Sequence, residues 1–183
     1  MITEADPKNA GREVIARAAR VKVVAFDVDG VLTDGRLFYG PDGCALHAFH
    51  ARDGLGLARA REAGLVLAAI SGRSSKNVEA RLSELKVPHI RQGVWKKAAE
   101  LKGILDIVGC SFDECAYIGD DVNDLSCLRR VGLAGAPRDA DPAVLAVAHW
   151  VSARDGGHGV LREFLELVLV AQQKWTFDDE PLP

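Results

Sequence analysis

Asp27 and Asp29 lie two residues apart, directly after the apolar run 21–26, where a strand leaving a sheet would turn to solvent. The spacing alone carries little, because 16 aspartates in 183 residues give roughly 1.4 D-x-D pairs from composition. The second such pair, Asp139 and Asp141, follows no strand-like run, and Asp141 before Pro142 predicts a helix N-cap. Position separates the two pairs. A further acidic group, Asp120, Asp121 and Asp124 in GDDVND, follows the apolar run 115–118. A helix dipole would favour one acid such as Asp121 at a helix start. Five carboxylates at one sheet edge repel one another, and a hard divalent cation relieves that repulsion. Carboxylate oxygens, water and phosphate oxygens suit Mg2+.

A carboxylate can attack phosphorus to form an acyl phosphate, which water then hydrolyses. At ~4 Å and an effective dielectric of ~20, each pair of like unit charges costs about 4 kcal/mol. Mg2+ and a positioned lysine offset this cost. Lys96 and Lys97 head the predicted helix 96–108 and supply the lysine. Ser71, expected to open the helix beginning at residue 74, supplies a hydroxyl beside helix N–H groups for the remaining phosphate oxygens. Asp27 reads as the nucleophile. Asp29 reads as the group that protonates the leaving alkoxide and later takes a proton from water.

Short β-branched runs alternate with amphipathic segments. Strands are expected at 21–26, 65–70, 88–91, 115–118, 132–134 and 149–151. Helices are expected at 53–63, 74–86, 96–108, 121–131, 142–148 and 160–174. Near-continuous apolar strands alternating with helices predict an α/β fold, a Rossmann-like doubly wound parallel sheet with helices on both faces. Ligands bind such sheets at the carboxyl ends of the strands. Three predicted strands end there in Asp27-Val28-Asp29-Gly30, Ser71-Gly72-Arg73 and Gly119-Asp120-Asp121. Residues 36–39 and 44–49 flank Gly40-Pro41-Asp42-Gly43 and read as a projecting β-hairpin, with no separate cap domain. The expected organisation is an N-terminal helical segment over 1–20, a hydrolase domain over 21–174 containing the hairpin 36–49, and a flexible tail over 175–183.

The ordered set FDVDGVLTDG, ISGR, QGVWKK and YIGDDVNDL resembles the four motifs of haloacid dehalogenase-superfamily phosphatases. The hairpin, FHARDGLGL and GGHGVLREFLELVLVAQ narrow the resemblance to the 3-deoxy-D-manno-octulosonate 8-phosphate phosphatase family, a capless branch with a Rossmann-like core. The resemblance spans residues 21–174. It implies Asp27 as nucleophile and Mg2+ ligand, Asp29 as acid/base with its backbone carbonyl on the metal, and Asp120 as the third ligand. Ser71 and Lys97 would hold the phosphoryl group. Asp29, Arg52, Asp53, Gly54, Arg73, Arg81, Lys97 and Asp121 would contact substrate. An arginine fork on the sugar carboxylate suits Arg73 and Arg81. The chain departs from the family pattern at His158 (usually Arg), His50 (often Asn) and Lys96 (Asp or Asn). These positions touch substrate contacts more than phosphoryl chemistry.

The resemblance also implies a homotetramer whose neighbouring subunits complete each site. Leu37, Phe38, Leu46 and Phe49 would place apolar surface on the projecting hairpin. The activity implied is Mg2+-dependent hydrolysis of 3-deoxy-D-manno-octulosonate 8-phosphate through an aspartyl phosphate, a step in lipopolysaccharide precursor biosynthesis. The alternatives are a nine-carbon 2-keto sugar acid 9-phosphate as substrate, or a phosphoaccepting receiver-like regulatory domain. Asp29 disfavours the receiver, because an acid/base speeds acyl-phosphate turnover.

Composition excludes several classes. With 48% hydrophobic and 27% charged residues the chain has the makings of a packed core rather than a disordered polymer. A net charge of −3 gives no nucleic-acid footprint. No apolar run approaches the ~20 residues of a membrane span, and residues 1–22 do not read as a signal peptide. Cys44, Cys110, Cys115 and Cys127 lack metal-ligand spacing and read as reduced thiols, so the cytoplasm is the expected compartment.

Overall fold

The computed structural model describes residues 10–41 and 43–175. Residues 1–9 of the expected N-terminal segment and 176–183 of the expected tail lie outside the described residues. The strands are β1 (Val23–Phe26), β2 (Phe38–Gly40), β3 (Gly43–Leu46), β4 (Val66–Ile70), β5 (His89–Arg91), β6 (Cys115–Ile118), β7 (Leu133–Ala136) and β8 (Trp150–Val151). The helices are α1 (Arg12–Ala18), α2 (Ala51–Glu62), α3 (Lys76–Glu84), α4 (Lys97–Val108), α5 (Leu125–Leu128), α6 (Pro142–Leu145) and α7 (Val160–Ala171).

Six strands form one sheet in the order β5-β4-β1-β6-β7-β8, every pairing parallel. The central strand β1 pairs Val23 with Val66 on one side and with Cys115 on the other. Alternate side chains of β1 feed opposite faces, because the side-chain period of a strand is two. Val24 and Phe26 pack with Leu57, Leu82, Phe164 and Val168 of α2, α3 and α7. Val23 and Ala25 pack with Leu101, Ile104 and Leu105 of α4 and with Cys127, Leu128 and Val144 beyond it. Both faces are covered, which is why the strands read as continuous apolar runs.

The hairpin forms a separate two-stranded antiparallel sheet, β2 with β3, with a register shift between Phe38 and Tyr39. Its apolar side chains divide. Phe38 and Leu46 are exposed, whereas Phe49 packs against the domain core.

Several helices differ from expectation, α6 and α7 ending three residues short at Leu145 and Ala171. The predicted helix 121–131 is a 3-10 turn, Val122–Asp124, followed by the short α5. Asp121 accepts from Val122 N, and Asp124 Oδ2 accepts from Asp120 N and Asp121 N, so the backbone donors are satisfied by side chains. The helix predicted from residue 74 begins at Lys76. Ser71 therefore closes a turn rather than opening a helix, its Oγ accepting from Arg73 N at 3.1 Å. Asp141 caps α6 by accepting from Ala143 N, as the D-P pair predicts.

Candidate active site

Asp27 follows β1 and points into the carboxyl edge of the sheet, with 4% of its surface exposed. The chain then turns sharply at Gly30, whose φ of +86° is a left-handed conformation open to glycine. A Cβ on Gly30 would lie 2.0 Å from Asp120 Oδ2, so this glycine also makes room for the acidic loop after β6. Gly156 approaches from the other side, and a Cβ there would lie 1.9 Å from Gly30 O.

Lys97, the first residue of α4, settles which of the paired lysines serves the site. Lys96 is exposed, whereas Lys97 is fully buried. Its Nζ lies 2.9 Å from Asp27 Oδ2 and 2.7 Å from Asp124 Oδ1. Burial alone would lower the Lys97 pKa, but Asp27 and Asp124 outweigh it and hold the ammonium charged. Asp124 Oδ1 also accepts from Tyr117 Oη at 2.6 Å. Asp124 thus spends Oδ1 on Lys97 and Tyr117 and Oδ2 on two backbone amides. In the sequence it is legible only as one of five converging acids, and its buried anchoring role has no periodic signal.

Asp27, Asp120 and Asp124 each present an oxygen within 4.8 Å of the others. Burial, followed by repulsion from neighbouring carboxylates, pushes Asp27 up to about 7 and Asp120 up to about 8. One ammonium faces three carboxylates, which leaves two negative charges uncompensated if all are ionised. Asp120 Oδ1 is buried without a hydrogen-bond partner. Buried polar atoms are rarely left unpaired, and a dication is the partner that this donor set fits. With the Asp124 oxygens committed, Asp27 and Asp120 are the side chains that would hold the ion, and Mg2+ would supply electrostatic stabilisation of phosphate charge.

A cleft of about 380 Å³ opens over this edge, lined by Asp27, Asp29, Gly35, Gly72, Arg73, Trp95, Asp120, Asp121 and Asn123. Arg73 Nε lies 3.9 Å from Asp29 Oδ2, and Arg73 Nη2 donates to Tyr39 Oη of the hairpin at 3.1 Å. Trp95 and Asn123 lie within the QGVWKK and YIGDDVNDL motifs, and the fold turns both toward the cleft.

The expected substrate run does not line this cleft. Arg52 is exposed on α2. Asp53, expected to contact substrate, is fully buried and its Oδ1 accepts from Arg162 N at 2.7 Å, capping α7. Gly54 lies under the Arg81 guanidinium, where a Cβ would meet Nη2 at 2.8 Å, and Arg81 Nη1 donates to Glu84. Within one subunit these residues tie α2, α3 and α7 together. His50 caps α2 through Nδ1, accepting from Arg52 N, an acceptor role that asparagine also fills. His158 Nδ1 lies 2.7 Å from Gly156 O, on the loop packed against Gly30.

A profile of haloacid dehalogenase-like hydrolases matches residues 87–164. Together with the parallel sheet and its acidic edge, this places the chain among the haloacid dehalogenase-like phosphatases, a class of phosphoric monoester hydrolases. The 3-deoxy-D-manno-octulosonate 8-phosphate phosphatase of Yersinia pestis is 39% identical over 162 residues, 88% of this chain and 87% of that protein. The Moraxella catarrhalis phosphatase of the same name, solved in complex with magnesium ion, phosphate ion and KDO, superposes with a TM-score of 0.86. It is 39% identical and covers 88% of this chain and 92% of its own. A cobalt-bound form of the Haemophilus influenzae enzyme has a TM-score of 0.84 at 35% identity, covering 86% of this chain and 92% of its own. The chain belongs to the 3-deoxy-D-manno-octulosonate 8-phosphate phosphatase family.

Proposed function

We propose that the chain hydrolyses 3-deoxy-D-manno-octulosonate 8-phosphate to the free sugar acid and inorganic phosphate, with Mg2+, in lipopolysaccharide precursor synthesis. The observation that carries this reading is the buried Asp27 carboxylate, held 2.9 Å from the Lys97 ammonium and facing Asp120 across an open polar cleft. An Asp27 oxygen attacks phosphorus, the bond from phosphorus to the sugar oxygen breaks, and Asp29 gives its proton to the departing alkoxide. Water then attacks the aspartyl phosphate, Asp29 takes the water proton, and the acyl oxygen returns to Asp27 as phosphate leaves. Asp27, the Asp29 carbonyl and Asp120 are the metal ligands in this reading. Lys97 and the Ser71 hydroxyl hold the phosphoryl group, and Arg73 and Asp121 meet the sugar at the cleft wall.

The assembly proposed is a homotetramer in the cytoplasm, built on the hairpins. Phe38 is 52% exposed, Tyr39 66% and Leu46 64%, an apolar surface suited to burial against a second copy. Among the described residues no helix is long and apolar enough to cross a membrane. Arg52 and Arg81 lie outside the cleft of their own subunit, and their expected substrate contact requires a neighbour's site.

Phosphate release from a panel of 2-keto sugar-acid phosphates, with Mg2+ and with a chelator, tests the reading. The octulosonate 8-phosphate is expected to give the highest kcat/KM, and chelation to abolish it. Preference for a nine-carbon 9-phosphate would overturn the substrate, and stoichiometric phosphorylation without turnover would overturn the enzyme.

A further inference from the structure

Asp29 is flanked on both oxygens. Arg73 Nε stands 3.9 Å from Oδ2, and His47 Nε2 stands 3.8 Å from Oδ1. The His47 side chain is 1% exposed, and its Nδ1 is a buried atom with no hydrogen-bond partner. Asp29 Oδ1 is likewise buried and unpartnered. The other ring nitrogen, Nε2, therefore faces the unpartnered Asp29 Oδ1 across a gap about one ångström longer than a hydrogen bond. Catalytic hydrogen bonds are often long before substrate binds and tighten in the complex. Phe49 stacks on the imidazole, with ring centroids 6.2 Å apart and planes 26° apart, which limits how the ring can turn away.

We propose that His47 is a positioning residue for the acid/base: its Nε2–H donates to Asp29 Oδ1 and turns Oδ2 toward the leaving oxygen. The inference rests on the acid/base reading of Asp29. The carboxyl is 22% exposed although Oδ1 is buried, so its open side is the Oδ2 side, where the proton is given and taken. His47 follows β3 directly, so the hairpin carries this group to the site. A hairpin usually read as an assembly element thereby sets the geometry of proton transfer.

The test compares two esters. The sugar-acid phosphate has an alkoxide leaving group that needs a proton, whereas p-nitrophenyl phosphate leaves without one. The quantity compared is kcat/KM, which covers steps up to departure of the leaving group and not the later hydrolysis of the acyl phosphate. His47→Leu is expected to lower kcat/KM on 3-deoxy-D-manno-octulosonate 8-phosphate roughly 10- to 100-fold, part of the full contribution of an acid/base. On p-nitrophenyl phosphate the change should stay within about threefold, and inhibition by inorganic phosphate within about twofold, since neither needs the proton. His47→Gln, which keeps a donor, should recover most of the loss. Equal losses on both esters, no loss, or a glutamine variant as poor as leucine would overturn the inference. Asp29→Asn is the reference variant. If it too fails to discriminate the esters, the acid/base reading falls and takes the inference with it. If Asp29→Asn discriminates and His47→Leu does not, the inference alone falls.

Discussion

Lys97 Nζ sits 2.9 Å from Asp27 Oδ2 with none of the lysine side chain exposed. A lysine at the first turn of a helix opposes the helix dipole, and this one is held there by Asp27 and Asp124. Lys97→Met should therefore fail twice. Removing one member of a buried ion pair costs roughly 3–5 kcal/mol, to be read from urea unfolding without metal. Loss of a cation on the phosphoryl group should lower kcat/KM about 100- to 1,000-fold. Lys97→Arg should rescue neither, since a planar fork does not replace a compact ammonium in a fully buried slot.

Asp124 is predicted to matter as much as a ligand without being one. Its two oxygens accept from Lys97, Tyr117 and the amides of Asp120 and Asp121. Asp124→Asn replaces one of these acceptors with a donor. Unfolding free energy should fall by about 2–4 kcal/mol from unsatisfied buried groups and a broken charge pair. Tyr117→Phe, which removes a single donor, should cost about 1–2 kcal/mol.

The Gly30 turn offers a test of the metal site that removes no proposed ligand. A Cβ at Gly30 would meet Asp120 Oδ2 at 2.0 Å and must adopt φ +86°. Gly30→Ala should raise the Mg2+ concentration for half-maximal activity about 10- to 100-fold, as displaced metal surroundings do. An unchanged Mg2+ dependence would place the ion elsewhere.

Asp53 gives a pH signature away from the active site. Burial raises its carboxyl to about 6, against the hydrogen bond from Arg162 N that favours the charge. The folded state therefore binds a proton more tightly than the unfolded chain. The stability this contributes is fully present below the unfolded value of about 4 and is lost as pH rises through about 6. Relative to Asp53→Asn, which does not titrate, the native chain should gain stability as pH falls from 7 to about 5. Urea midpoints of both chains across that range check the sign.

Much of the fold is legible in the residues because the central strands are apolar on both faces, and β6 begins and ends where its apolar run does. The helix expected over 121–131 fails because its acidic residues bond the backbone themselves, which periodicity does not encode. Asp27, Asp29 and Asp120 stand out because charge at a strand end is locally costly. Asp124, Tyr117 and His47 do not, because their roles depend on which side chain turns inward once the sheet has formed. Asp53 is the opposite case: its motif suggests substrate, and its burial makes it a cap for α7.

Catalysis in this reading turns on transient phosphorylation of one carboxylate. Acid quench of Asp29→Asn during turnover, followed by peptide mass spectrometry, tests it most directly, since loss of the base should let the acyl phosphate accumulate. Phosphate is expected on Asp27 and none in Asp27→Asn, which should be inactive yet folded. Phosphate on another residue, or an Asp27→Asn variant that still turns over, would contradict it.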